Sequence, residues 1–72
     1  MSFLWDGMFR NCNNLSNASI QNIVNMCLNS NVITSYKNLN NTNSYSPLYQ
    51  TKFDNSYYQN RWAELDAAGW EY

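Results

Sequence analysis

A chain of 72 residues holds one small domain at most, because a core of that size buries only about 60% of the surface that the unfolded chain exposes. Hydrophobic residues make up 44% of it, but charged residues only 12%, about half of the roughly 25% usual in a soluble domain, and the formal net charge is −1. The four basic side chains, Arg10, Lys37, Lys52 and Arg61, are too scattered to form a phosphate-neutralising stripe, no run approaches the roughly 20 apolar residues of a membrane span, and histidine is absent. Nucleic-acid binding, a membrane span and most acid–base catalysis are therefore not expected.

Polarity comes from amide instead, since asparagine occupies 14 of the 72 positions. An AT-rich coding sequence would produce such a bias, and a virus, a phage or an AT-rich eukaryote is a natural source. Aromatic residues reach 17%, which argues against disorder and supplies either packing area or interface anchors.

In chain order, Met1, Leu4, Trp5, Met8, Phe9 and Cys12 follow the spacing of one helical face, so a first helix is expected over 2–12, with Gly7 against it. The next segment has a clearer start and stripe. Ser16 as N-cap places Leu15 and Ile20 as a hydrophobic staple, while Ile20, Ile23, Val24, Cys27 and Leu28 share one face, which predicts a helix over 17–28. It should stop at Asn29, Ser30 and Asn31 through a left-handed residue.

The β-branched stretch Val32 to Tyr36 reads as extended, without an evident partner strand. From 37 to 51 the chain is Asn, Ser, Thr and Tyr with one proline, Pro47, and reads as an extended arm. Its Leu39, Tyr45, Leu48 and Tyr49 are too large and apolar for an inert linker, so they are expected to lie on a partner. A last helix is predicted over 55–68, with Asp54 as N-cap, Phe53 and Tyr58 as staple, and Tyr58, Trp62 and Leu65 as its stripe. Gly69 should close it as a Schellman cap that joins Leu65 to Trp70. The fold expected is mainly α: two or three short helices with a long, partly extended polar connection.

Chemistry is sparse. Cys12 and Cys27 fit neither a redox pair nor a zinc site, and the absence of charge between Arg10 and Lys37 leaves neither thiol an activating neighbour in sequence. Both are expected as reduced, buried thiols. The sequons at Asn14, Asn17 and Asn40 carry little weight without a secretory signal, and Ser2 does not suit N-myristoylation. No metal or organic cofactor is expected, and an intracellular or virion location is favoured over secretion.

Glu64 and Asp66 read as a solvated helix face or as an acidic patch for a basic partner. The function expected is a non-enzymatic minor structural or accessory subunit of a larger assembly, bound to neighbouring protein subunits through the arm and Tyr57. The alternative is a small inhibitor or adaptor of phage or viral origin that acts through Arg61, Glu64 and Asp66.

Overall fold

The computed structural model describes residues 6–72, and the part of the expected first helix before Asp6 lies outside them. The chain is mainly helical, with α1 at Asn17–Leu28, a 3-10 turn at Thr34–Tyr36, a 3-10 helix at Asn55–Arg61 and α2 at Trp62–Ala67. Among the described residues there is no strand, only one isolated parallel bridge between Asn38 and Glu71.

α1 begins as its sequence predicts. The Ser16 side chain accepts the Ser19 N–H at 3.1 Å, and Ile20, Ile23, Val24 and Cys27 are buried along one face. Its end is different, because Asn29 has φ −92° and is not left-handed. Two side chains cap the last turn instead: Asn29 Nδ2 donates to the Asn25 carbonyl at 2.9 Å, and Ser30 Oγ donates to that of Met26.

Residues 6–12 correct the expected first helix. Gly7 and Asn11 have φ of 59° and 64°, the left-handed region, so the backbone folds into successive turns. Gly7 and Phe9 give their N–H groups to the carbonyls of Ser46 and Pro47, both at 3.0 Å, and not to an earlier helical turn. The Val32 to Tyr36 stretch is corrected as well. With no strand among the described residues to pair against, its backbone closes on itself, Tyr36 N–H to the Ile33 carbonyl at 3.0 Å and Lys37 N–H to Thr34 at 3.1 Å.

The 37–51 segment is not an extended arm. It enters alongside the C-terminus, where the Leu39 N–H donates to the Glu71 carbonyl at 2.8 Å and the Glu71 N–H to that of Lys37 at 2.9 Å. It then winds through a ladder of side-chain turns: Asn38, Asn40, Asn43 and Ser46 each accept the backbone N–H two residues on. Asn41 Nδ2 ties the two ends together by donating to the Thr51 carbonyl at 2.8 Å. The radius of gyration, 10.9 Å, is close to the roughly 11 Å expected when all of a chain this long is packed inward.

Asp54 caps the last helical region by accepting the Ser56 N–H at 3.0 Å, and these bonds from Ser56 hold its carboxyl below the usual carboxylate range. The helix is not continuous over 55–68. Tyr58, at φ −129° and ψ 32°, interrupts it, so its first half is 3-10 and only the second half is α. The Trp62 indole N–H bridges the break by donating to the Asn55 carbonyl at 3.0 Å. Beyond α2, Gly69 has φ 80°, its N–H reaches Asp66 at 3.1 Å, and the Trp70 N–H reaches Leu65 at 2.9 Å. This is the Schellman pairing that the sequence predicts.

The core joins all of these segments. Ile20, Val24 and Cys27 of α1 meet Leu39 and Leu48 of the turn ladder, and Phe53, Tyr58, Leu65 and Trp70 of the C-terminal part. No helix among the described residues is long and apolar enough to cross a membrane.

Candidate functional site

The interface residues expected from sequence divide into three groups. Leu39 and Leu48 are fully buried in the chain's own core, which corrects their expected place on a partner. The turn ladder points them inward, where each adds apolar area that the two helices alone do not supply. Tyr49 is half-buried, with the Arg10 guanidinium 4.9 Å from its ring centroid, a cation–π contact within the chain.

The second group is the face of α2. Arg61 grips Glu64 with two hydrogen bonds of 2.9 Å, and this pairing raises the guanidinium's pKa and lowers that of the carboxyl. Asp66 accepts the Tyr72 hydroxyl at 2.9 Å, which raises the phenol's pKa. Both acids therefore have partners within the chain: Glu64 is partly neutralised by Arg61, and Asp66 keeps its charge but has one acceptor oxygen engaged by the neutral Tyr72 hydroxyl.

Tyr45 and Tyr57 form the third group, exposed at 39% and 38%. The Tyr45 backbone is fixed by the Asn43 side chain at 2.8 Å, and its ring meets the edge of Tyr36 at 4.6 Å between centroids. Ile33, 61% exposed, precedes Tyr36 by one 3-10 turn. Sequence reading placed Ile33 and Tyr36 in an extended run and did not join them to Tyr45. The only signal was their spacing of three, which brings side chains together in a 3-10 turn and separates them in a strand.

Tyr57 belongs to a different feature. Its ring stands edge-on to Phe53 at 5.0 Å and lines a groove of about 400 Å³ between α1 and the 3-10 helix, with Asn17, Gln21, Ser56 and Asn60. The Gln21 and Asn60 amides meet across it, Nε2 to Oδ1 at 3.1 Å and Nδ2 to Oε1 at 3.4 Å. A second groove, of about 280 Å³ and more apolar, runs along α1 beside Phe9, Leu15, Ile23 and Met26.

The two thiols are free, Cys27 buried and Cys12 exposed, so the expectation that both are buried holds for one. Burial pushes the Cys27 thiol up to about 12, which keeps it protonated and unreactive at neutral pH. Native alkylation followed by intact mass should therefore add one group, at Cys12, and denaturation should expose the other. Two fast additions to the folded protein would contradict the burial of Cys27. Among the described residues, no three Cys, Asp or Glu side chains gather in a group able to hold a metal ion.

The chain matches no family model, no curated protein and no solved structure. Its functional reading accordingly rests on the geometry alone.

Proposed function

We propose that the protein is a non-enzymatic protein-binding module, an adaptor or accessory subunit of a larger complex, that folds before it docks. Its contact surface is Tyr45 with Tyr36 and Ile33. The observation that carries this reading is the contrast within one segment: Leu39 and Leu48 complete the chain's own core, while Tyr45 is held outward by an asparagine turn. Rigid aromatic rings of this kind give contact area at small entropic cost. The alternative, docking through the acidic face of α2, is less favoured because Glu64 and Asp66 are already engaged.

Copurification from the native source at equal expression tests the proposal. Tyr45→Ala and Ile33→Ser should each weaken partner recovery by about 1–2 kcal/mol, roughly 5- to 30-fold in affinity, while the protein stays folded. Glu64→Ala should leave recovery intact. The reverse pattern would move the contact to α2, and recovery unaffected by any of the three would remove both surfaces.

A further inference from the structure

We infer that the groove between α1 and the 3-10 helix Asn55–Arg61 is a binding site for a neutral saccharide, with Tyr57 as its stacking platform. This does not depend on the proposed protein contact, which uses other residues. Small-molecule sites of roughly 300–1,000 Å³ are usually lined by apolar side chains with a few polar groups. This groove, at about 400 Å³, has the opposite lining: one aromatic ring among three amides and a hydroxyl. Its ligand must therefore bring many hydrogen-bonding groups.

Charge narrows the class further. None of the lining residues is ionised, and the adjoining cation, Arg61, donates to Gln21 Oε1 at 3.3 Å while its other nitrogens hold Glu64. A phosphate or carboxylate ligand would find no free counter-charge among the lining side chains. Hydroxyl groups both donate and accept, and a side-chain amide is the group that answers both at once.

The Asn17 side chain forms no hydrogen bond with another described residue, and Ser56 Oγ, which donates to Asp54, keeps its lone pairs. The reciprocal Gln21–Asn60 pair uses one N–H of each amide and leaves the other. Tyr57 adds the remaining element. A π face is electron-rich and attracts the weakly positive C–H face of a sugar ring, and the contact with Phe53 holds the ring in place while it stays exposed.

The test is an amide-resolved NMR titration of the full chain with glucose, mannose, galactose, N-acetylglucosamine and their β-linked disaccharides. Each is added to a concentration on the order of 10 mM, where a site of millimolar affinity approaches saturation. The expected result is a saturable shift confined to the backbone and side-chain amides of Asn17, Gln21, Tyr57 and Asn60 for at least one sugar. Tyr57→Ala should weaken it tenfold or more, and Tyr57→Trp should keep it.

Because Tyr57 touches Phe53, Asn60→Ala provides a second variant on an exposed position and carries the test alone if Tyr57→Ala loses its spectral dispersion. No response to the whole panel overturns the inference. So does a response spread over the surface, or one that survives undiminished in folded Tyr57→Ala or Asn60→Ala.

Discussion

Leu39→Ala or Leu48→Ala should leave the isolated protein largely unfolded at room temperature, before any partner is involved. Removing a fully buried leucine side chain costs about 2–5 kcal/mol through lost transfer energy and the cavity left behind. A single small core has a reserve of only about 3–5 kcal/mol. Urea denaturation followed by circular dichroism reads the difference directly. Tyr45→Ala, in the same segment but at a partly exposed position, should lose less, about 0.5–1.5 kcal/mol, the worth of its edge contact with Tyr36. If the two leucine variants unfold at the same urea concentration as the parent, the 37–51 segment contributes nothing to the core and its leucines are free to meet a partner after all.

Trp70→Ala should be equally damaging, with a loss of about 3–5 kcal/mol, since it empties a large buried volume and frees the chain end beside it. The bonds between Glu71 and residues 37 and 39 depend on Trp70 to hold their strand of backbone in place. Gly69→Ala isolates a smaller part of the same lock. A Cβ at that position would meet no atom within 4 Å, so its cost of about 1–2 kcal/mol comes from the left-handed backbone alone. Gly69→Asn should lose less, because asparagine adopts that conformation more readily than alanine. Thermal melts of the three variants should rank Trp70→Ala lowest and Gly69→Asn nearest the parent. Equal losses for Ala and Asn at 69 would rule out backbone conformation as the source.

Where the sequence was legible, the signal was local. Ser16 to Leu28 contains its own cap, staple and stripe, and Leu65 to Trp70 contains its own stop, so both could be read from a few neighbouring residues. The stripe of Met8, Phe9 and Cys12 looked equally local, yet Gly7 and Asn11 turn the backbone and the 46–47 carbonyls take its N–H groups. That competition is between residues far apart in sequence, so no periodicity reveals it.

The 37–51 segment misled for a related reason. The side-chain oxygens of Asn38, Asn40 and Asn43 each accept a backbone N–H only two residues away, and an Asn-rich linker could offer the same bonds without folding. What commits this one is Leu39 and Leu48 finding α1 and Tyr58, with the Tyr58 hydroxyl on the Leu39 carbonyl at 3.3 Å. Of the candidate site, Tyr45 and Tyr57 were recognised from sequence as aromatic residues off the main stripes. Their companions were not, because Ile33, Tyr36, Asn17, Gln21 and Asn60 gain meaning only from the folds that assemble them.

The turn ladder also explains why three of its four rungs are amides and none is a carboxylate. An aspartate would accept the same backbone N–H as Asn38, Asn40 or Asn43 and would support each turn separately. Three carboxylates so close together would repel one another, and the shape of the segment would then vary with acidity and with dissolved ions. Neutral acceptors avoid that mutual repulsion, and the Asn38 amide can in addition donate to the Glu71 carboxylate at 3.1 Å, as an aspartate could not. The surface on which Tyr45 stands is therefore expected to keep its form in dilute and concentrated electrolyte, and in weakly acid and weakly alkaline surroundings.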